Sequence, residues 1–326
     1  MITALAGGVG AAKLLRGLVE VVDPSELTVI VNVGDDVEVL GLRVCPDVDI
    51  VTYTLAGVVD EERGWGLRGD SFRCLEGLRR LGADVWLKLG DLDLATHIYR
   101  THLLRSGLRL SEACDAIRRA LGVKSRVLPV TDDPLASVVI TDRGEMHFEE
   151  FYVRHRCEPR VLGVKYVGAE GARPAPGVVE AILGAEFVVV CPSNPIVSIG
   201  PMLAVRGVRE ALREARGPVV AVSPIIAGRA VKGPAVEMMR ALGYEPSAYG
   251  VAEAYGDFLD ALIIDEADSG LRGRIEALGV RVAVAPTLMR TSEDKVRLAR
   301  LVVSLARGLG PRARPRSSLN TSGPRA

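Results

Sequence analysis

The sequence predicts an α/β fold, in which a doubly wound and mostly parallel Rossmann-like sheet carries an inserted, mainly helical cap. Short β-rich runs recur, and several are apolar almost throughout, as expected of parallel strands covered on both faces. Amphipathic segments with helical spacing separate many of them, and this alternation is typical of a doubly wound sheet. The predicted strands span residues 2–5, 28–33, 85–89, 136–140, 187–191, 219–222, 262–264 and 280–284. The predicted helices span residues 11–22, 71–81, 111–121, 205–215 and 234–242.

Residues 53–125 differ from the rest of the chain because they hold mostly helical patterns and one strand candidate. We therefore predict a nucleotide-binding core of residues 1–52 and 126–307, with residues 53–125 as the cap. Residues 146–153 alternate between polar and apolar side chains, which suggests an antiparallel edge strand. Residues 308–326 are rich in Pro, Ser and Arg and hold no acid, so we expect a disordered tail.

Composition restricts the partners and the compartment. The 41 basic and 41 acidic side chains cancel, which argues against bulk binding to nucleic acid or anionic membranes. No run approaches the roughly 20 apolar residues of a membrane span, and the N-terminus lacks the features of a signal peptide. The five cysteines are widely spaced and fit reduced thiols better than a zinc site or disulfides. We expect a cytoplasmic protein with small-molecule substrates and no nucleic-acid or membrane partner.

The first predicted strand ends in a glycine-rich turn, AGGVGAAK, at residues 6–13. Glycines at a strand-to-helix turn let backbone N–H groups approach a phosphate at the positive end of a helix. The turn is not a P-loop, and Lys13 occupies the third glycine position of the dinucleotide fingerprint. A plain tight turn is the alternative. The predicted phosphate-binding residues here are Gly7, Gly8, Gly10 and Lys13.

Carboxylates follow the second predicted strand. Asp35 and Asp36 come directly after it, and Asp47 and Asp49 lie within the next thirteen residues. Carboxylates just past the carboxyl end of a strand suit a hard cation such as Mg²⁺ bound together with phosphates. The alternative is a turn in which Gly and Asp supply unusual backbone angles.

A second polar segment, LGDLDLATH, spans residues 89–97, and Lys88 precedes it. His97 is a candidate general base. A histidine beside Ile98 on a helix is, however, more often a structural residue with satisfied hydrogen bonds.

Two further loops follow predicted strands and reach the same edge of the sheet, where ligands bind in such folds. Ser193 and Asn194 can hydrogen-bond a base, ribose or phosphate, whereas Arg229 and Lys232 can pair with phosphate charge. The predicted nucleotide- and phosphate-binding residues of these two loops are Ser193, Asn194, Gly228, Arg229 and Lys232. Ordinary connecting loops are the alternative, but three loops that converge on one edge favour a nucleotide site. No GxSxG elbow and no activated cysteine is present, which argues against a covalent hydrolase mechanism.

Taken together and in order, the motifs closely resemble the 2-phospho-L-lactate transferase family of coenzyme F420 biosynthesis. The resemblance runs from residue 1 to about residue 300. The motifs that carry it are AGGVG (6–10), NVGDD (32–36), GWG (64–66), LGD to TH (89–97), TDDP (131–134), HF (147–148), PSNP (192–195) and SPIIAG (223–228).

The resemblance implies a transfer reaction. A phospholactyl or phosphoenolpyruvyl group would pass from a guanosine diphosphate conjugate to the ribityl hydroxyl of the deazaflavin Fo, releasing GMP and giving F420-0 or its dehydro form. It further implies Mg²⁺ and a homodimer. The cap would lie near the deazaflavin site and shield a flat, aromatic acceptor from water.

The resemblance also implies roles for individual residues. Asp49 and Lys88 match the Fo contacts of the family. Asp35 and Asp36 match its metal and catalytic acids, and Mg²⁺ held by Asp35, Asp36 or Asp49 would clamp the diphosphate; one of these acids alternatively accepts the ribityl proton. The positions that match its guanine-nucleotide region are Gly7, Gly8, Gly10, Ser193 and Asn194.

Two other functions compete with this interpretation. A non-catalytic, nucleotide-sugar-binding regulatory protein of the same superfamily would share the glycine-rich turn, but its acidic motif resembles DDGGS, whereas this chain has DDVE at residues 35–38. A dinucleotide-dependent oxidoreductase rests on fold analogy alone, and Lys13 at the third glycine position counts against it.

Overall fold

The computed structural model describes residues 1–312, and residues 313–326 of the predicted tail lie outside the described range. The strands, numbered in chain order, are β1 (Ile2–Ala6), β2 (Leu27–Val31), β3 (Val37–Val39), β4 (Leu42–Val44), β5 (Arg126–Pro129), β6 (Ala136–Thr141), β7 (Gly144–His147), β8 (Val161–Val167), β9 (Val188–Val190), β10 (Val219–Val222), β11 (Ile225–Ile226), β12 (Arg229–Ala230), β13 (Ala261–Ile264) and β14 (Arg281–Val284).

The described chain builds a seven-stranded sheet in the order β14-β13-β10-β9-β1-β2-β5, and every neighbouring pair in it is parallel. Strands β1, β2, β10 and β13 are buried along their whole length, because helices cover both faces of the sheet. The predicted α/β fold class is confirmed.

Helices connect most of these strands, and the five segments with predicted helical spacing all form helices, with ends shifted by up to four residues. The helices are α1 (Gly8–Leu18), α2 (Pro46–Leu55), α3 (Arg73–Arg80), α4 (Asp91–Arg105), α5 (Leu110–Ala120), α6 (Val178–Leu183), α7 (Gly200–Ala204), α8 (Val208–Glu214), α9 (Ala235–Ala241), α10 (Ala248–Tyr255), α11 (Arg272–Glu276) and α12 (Ser292–Leu309).

Two strand predictions are wrong: one segment forms no strand, and the other forms a strand of a different sheet. Residues 85–89 form no strand; Leu87 and Leu89 are buried instead in a small apolar cluster with Val39, Val44 and Leu94. Residues 136–140 do form a strand, but β6 belongs to a separate antiparallel sheet in the order β7-β6-β8. The edge strand β5 was missed, because its four residues begin with an arginine and end with a proline.

The predicted edge strand at residues 146–153 is only partly correct. Strand β7 is antiparallel and lies at the edge of the small sheet, but it ends at His147. The chain then turns into a short π-helix, Glu150–Arg154, so the alternation of exposed and buried side chains does not continue.

The sheet has its topological switch point at β1. From β1 the chain builds β2 and β5 on one side and later returns to add β9 and β10 on the other. The carboxyl ends of β1 and β9 therefore lie next to each other and open a crevice, which is where ligands bind in doubly wound folds. The backbone approach is close, since a side chain at Gly10 would collide with the carbonyl oxygen of Pro192.

Residues 53–125 contain the last residues of α2 and the whole of α3, α4 and α5. Their description as a separate cap stays a prediction. The predicted tail begins too early, because α12 continues to Leu309, and Arg312 pairs with Asp260 at 2.6 Å. Among the helices of residues 1–312, none is both long and apolar enough to cross a membrane.

Candidate functional site

A cavity of about 820 Å³ opens at the carboxyl edge of the sheet, beside the switch point. Most of the predicted site residues line it, together with both tryptophans of the chain, Trp65 and Trp86. Asp36, Gly228 and Arg229 are not among its lining residues. The predicted residues that line it are Gly7, Gly8, Gly10, Lys13, Asp35, Asp49, Lys88, Ser193, Asn194 and Lys232.

The glycine-rich turn and the loop after β9 are joined by a hydrogen bond. The N–H of Gly7 donates to Ser193 Oγ at 3.2 Å, and α1 begins at the next residue. A Cβ atom on Gly7 would lie 2.6 Å from Ser198 Cβ and 2.8 Å from a carboxylate oxygen of Asp47. Glycine is therefore required at this position by close packing, and the N-terminus of an 11-residue helix faces the cavity.

Asn194 lines the cavity, but its side-chain oxygen is already engaged. Asn194 Oδ1 accepts hydrogen bonds from the N–H groups of Ile196 and Val197, at 2.9 and 3.3 Å. The side chain thus caps the short π-helix that follows, Pro195–Ile199. This leaves its amide nitrogen, rather than its oxygen, as the group available to a ligand.

The loop after β10 contributes one of its two predicted cations to the cavity. Arg229 lies in the small hairpin of β11 and β12 and is exposed, outside the lining. Lys232 lines the cavity, and burial, followed by the charge of Lys13, lowers its pKa. Lys13 Nζ donates to the carbonyl oxygen of Met289 at 3.4 Å. Within residues 1–312, neither lysine has a carboxylate partner, so both charges are available to an anionic ligand.

Two aspartates hold the segment LGDLDLATH in place: Asp70 accepts hydrogen bonds at the start of α4, and Asp91 accepts them at the start of α3. Asp70 accepts hydrogen bonds from the N–H groups of Leu92 and Asp93, at 2.8 and 3.0 Å, at the start of α4. Asp91 in turn accepts from the N–H of Cys74 at 3.0 Å, at the start of α3. A side chain at Gly90 would collide with the Asp70 carboxylate. This arrangement explains the Leu-Gly-Asp spacing and sets the orientation of the first turn of α4.

Two of the predicted metal ligands are already paired with arginines. Asp36 Oδ2 accepts a hydrogen bond from Arg43 at 2.9 Å. Burial nevertheless raises the pKa of Asp36 to about 6, because it outweighs the charge of that guanidinium. Asp49 accepts from the fully buried Arg100 through both oxygens, one of them at 3.1 Å. Because Arg100 neutralises Asp49 within the chain and Asp36 does not line the cavity, the structure does not favour either carboxylate as a Mg²⁺ ligand.

Three other carboxylates at the cavity have no arginine or lysine partner within the described part of the chain. We call Asp35, Asp47 and Glu149 the unpaired cluster; all three are buried and line the cavity. Burial and the neighbouring Asp47 and Glu149 raise the pKa of Asp35 well above its usual range. Burial also raises the pKa of Asp47 to about 7, and burial with the charge of Asp47 raises the pKa of Glu149 to about 8. Clustered, desolvated acids of this kind are stabilised by a bound cation.

A second group of polar side chains surrounds Arg100, and we call Asp49, Asp93, His97 and Arg100 the arginine network. Each member is buried, and the first three line the cavity. The Tyr53 hydroxyl donates to Asp93 Oδ1 at 2.8 Å, and His97 Nε2 lies 3.4 Å from the same oxygen. Asp49, Asp93 and His97 bring ligand atoms within 4.8 Å of one another. The guanidinium of Arg100 already supplies positive charge to this group.

Sequence reasoning missed several of these residues. Asp47 was noted but not selected, although it lies between the first-strand turn and Asn32, which donates to it at 2.9 Å. Glu149 lies in the predicted edge strand, and Asp93 is one of the two acids of LGDLDLATH, but neither is among the predicted site residues. Of the two acids Asp91 and Asp93, only Asp93 lines the cavity. Its place as the third residue of α4 could have indicated this, because an acid there lies at the helix N-terminus.

Aromatic and apolar side chains form another part of the cavity wall. Phe148 and Tyr152 stack with ring centroids 5.6 Å apart, and both line the cavity. Trp65 is held by the guanidinium of Arg63, which lies 5.4 Å from its ring centroid. The cavity thus combines a flat apolar surface with a charged surface, although aromatic residues make up only 4% of the chain.

The family can be assigned by comparison with known proteins. The family model described as "2-phospho-L-lactate transferase CofD" matches residues 2–297. The chain belongs to this family. The resemblance indicated by the ordered motifs is therefore confirmed, and it covers nearly all of the described residues.

Similar members of the 2-phospho-L-lactate transferase family carry two names. A 2-phospho-L-lactate transferase from Methanothermobacter thermautotrophicus is 48% identical over 303 residues, which cover 93% of this chain and 97% of the relative. One from Methanopyrus kandleri is 48% identical over 314 residues, with coverages of 94% and 98%. A phosphoenolpyruvate transferase from Streptomyces griseus is 42% identical over 311 residues, with coverages of 94% and 98%. These relatives, under either name, are thus 42–48% identical to this chain.

A solved structure shares the fold at low sequence identity. A member of the UPF0052 family from Bacillus halodurans aligns with a TM-score of 0.63 and 16% identity, covering 93% of this chain and 98% of that chain. This similarity confirms the architecture and carries no information on substrate.

Proposed function

We propose that the protein transfers a phospholactyl or phosphoenolpyruvyl group from a guanosine diphosphate conjugate to the ribityl hydroxyl of Fo, with release of GMP. Family membership supports the transferase reaction. The observation that carries the proposal is a single cavity that combines a phosphate-binding turn, two lysines without acid partners, a cluster of unpaired carboxylates and an aromatic wall. A transfer between two anionic substrates needs these parts more than it needs a covalent nucleophile.

The donor would bind at the switch point. Its diphosphate would face the N-terminus of α1, where the turn of Gly7 and Gly8 exposes backbone N–H groups. Lys13 and Lys232 would neutralise the remaining phosphate charge, which also explains why two cations lie near each other without carboxylates. Ser193 would hold the turn in place through its hydrogen bond to Gly7.

The residues of the unpaired cluster fit Mg²⁺. Carboxylate oxygens are the ligands that this hard cation prefers. Asp35 Oδ1 is buried without any hydrogen-bond partner in the described chain, and the raised pKa values of Asp47 and Glu149 show how poorly these acids tolerate ionisation without a cation. The ligand atoms of these three acids do not all lie within 4.8 Å of one another, so we propose that Asp35 holds the ion together with one of the other two acids and the phosphates of the donor. When bound, Mg²⁺ would neutralise charge on the diphosphate and stabilise the departing GMP.

The acceptor would bind against the aromatic wall. Trp65 and Trp86 come from residues 53–125, the region predicted as a cap, and would cover the deazaflavin and exclude water. Lys88 is exposed at the cavity without an ion-pair partner in residues 1–312, and it would contact the acceptor as the family resemblance implies. Asp49 would contribute its carboxylate from a fixed position, because Arg100 holds both of its oxygens.

The experiment is an assay of the purified protein with Fo, Mg²⁺ and either the lactyl or the enolpyruvyl conjugate of guanosine diphosphate. GMP release that depends on Fo, with a deazaflavin product of matching mass, supports the proposal and names the donor. Tight guanine-nucleotide binding without product would favour a regulatory binding protein instead. A cytoplasmic homodimer belongs to the same proposal, and light scattering of the purified protein measures the oligomeric state.

A further inference from the structure

Asp93 is the member of the arginine network with a spare oxygen. It lies in the first turn of α4, is 7% exposed and lines the cavity. Tyr53 donates to its Oδ1 at 2.8 Å, and His97 Nε2 faces the same oxygen at 3.4 Å. Its Oδ2 accepts no hydrogen bond from residues 1–312. One oxygen is therefore anchored and the other is available to a ligand in the cavity.

The other acids that line the cavity are less suited to accept a hydrogen bond from an alcohol. Both oxygens of Asp49 are held by Arg100. Asp35, Asp47 and Glu149 form the unpaired cluster, in which burial and mutual repulsion favour the protonated or cation-bound form. Burial raises the pKa of Asp93 as well, but the nearby His97, the hydrogen bond from Tyr53 and the charge of Arg100 outweigh it and lower the pKa below its usual value. Asp93 thus combines a lowered pKa with a free oxygen.

Contacts behind Asp93 hold its orientation. Arg100 Nη1 lies 3.3 Å from His97 Nδ1, and a guanidinium can only donate hydrogen bonds. His97 Nδ1 also lies 3.6 Å from Asp49 Oδ2, so the ring is held between two carboxylates with Nε2 facing Asp93. His97 is therefore a positioning residue rather than a base, because both of its ring nitrogens face buried side chains.

We propose that Asp93 Oδ2 accepts the proton of the attacking hydroxyl of the acceptor, a role that rests on the proposed function. The hydroxyl oxygen forms a bond to the phosphorus that carries the lactyl or enolpyruvyl group. The bond from that phosphorus to the bridging oxygen breaks, and its electron pair leaves with GMP. The hydroxyl proton moves to Asp93, so that charge and atoms balance without a further reactant.

The test compares Asp93→Asn with Asp115→Asn, a control aspartate on the neighbouring helix α5 that pairs with Arg118 outside the cavity lining. We expect Asp93→Asn to lower kcat by about 10²-fold or more, since a positioned general base contributes about 10²–10⁴-fold. The affinity for GDP and the melting temperature should stay close to wild type. Asp115→Asn should keep kcat within about threefold. A kcat for Asp93→Asn within about threefold of wild type would overturn the proposal.

A second variant keeps the test informative if Asp93→Asn does not fold. Asp93→Ala removes the carboxylate, and formate added to the assay should restore activity about tenfold or more by replacing it. A folded Asp93→Ala protein that binds GDP and Fo but gains nothing from formate would contradict the role. The wild-type assay separates the two proposals: without Fo-dependent GMP release in wild type the proposed function itself fails, whereas an active wild type with an active Asp93→Asn rejects only the role of Asp93.

Discussion

Asp47 and Asp49 lie two residues apart in the first turn of α2, yet they belong to opposite electrostatic environments. Asp49 is paired with a buried arginine through both oxygens, so the chain itself neutralises its charge. Asp47 receives hydrogen bonds from Asn32 and the backbone of Gly8 but has no cationic partner in the described chain, and its pKa rises to about 7. Arg100 thus neutralises Asp49 within the chain, whereas the unpaired cluster needs a cation from outside to carry its full charge.

Breaking the arginine network should have the largest effect. Arg100→Met leaves Asp49 buried without its partner, and removing one member of a buried ion pair destabilises by about 3–5 kcal/mol. Urea unfolding measures this free energy. The control is Arg272→Ala, which breaks the exposed pair with Glu276 and should change stability by about 1 kcal/mol or less. A loss for Arg100→Met as small as that of the control would show that the network is not structural.

Removing one acid from the unpaired cluster should act on turnover instead of stability. Asp35→Asn keeps the size of the side chain but loses a charge for the cation, and we expect kcat to fall by about 10²-fold. Steady-state rates over a range of Mg²⁺ concentrations provide the measurement. Near-normal rates at saturating Mg²⁺ would remove Asp35 from the proposed site.

The unpaired cluster also predicts a pH-dependent stability. Unfolded carboxyl groups ionise near pH 4, whereas folded Asp47 and Glu149 keep their protons up to pKa values of about 7 and 8. The folded state therefore binds more protons than the unfolded state between about pH 4 and 8, so stability falls as pH rises across this window and levels off above it. We expect the melting temperature without divalent cations to drop by a few degrees over this window.

Mg²⁺ and a substitution should each weaken that pH dependence. Mg²⁺ binds the ionised folded form and should restore the melting temperature at about pH 9. Glu149→Gln removes one titrating group and should flatten the slope in cation-free buffer. A slope that is the same in Glu149→Gln as in wild type would mean that Glu149 ionises normally.

Two lysines that line the cavity, Lys232 and Lys88, should give the smallest and most selective effects. Lys232→Ala should weaken GDP binding by about tenfold, or 1.4 kcal/mol, and leave Fo binding unchanged. Lys88→Ala should weaken Fo binding and leave GDP binding almost unchanged. Calorimetric titration of both ligands into both variants measures this. If either variant loses both affinities equally, that lysine is structural or shared between the substrates.

The fold followed from local patterns that the sequence displays directly. Buried strands such as β10 and β13 are continuous apolar runs, and their type does not depend on distant residues. Residues 85–89 show the limit of that argument, because Leu87 and Leu89 are buried against β3 and β4 side chains without pairing to a sheet. Apolar burial alone does not require a strand.

The site was predictable in position but not in pairing. Loops at the carboxyl ends of parallel strands locate the crevice, which is why most of the predicted residues line the cavity. Which acids are neutralised depends on partners far along the chain: Arg100 lies 51 residues from Asp49. Sequence spacing does not contain that information, and for this reason Asp36 and Asp49 were preferred over Asp47 and Glu149.

The most direct test is the affinity of the protein for GDP, measured by calorimetry with and without Mg²⁺. If the unpaired cluster forms one site for a metal-bound diphosphate together with Lys13 and Lys232, Mg²⁺ should tighten GDP binding. We expect an effect of about tenfold or more in wild type and little effect in Asp35→Asn. An identical GDP affinity with and without Mg²⁺ in the wild-type protein would contradict this.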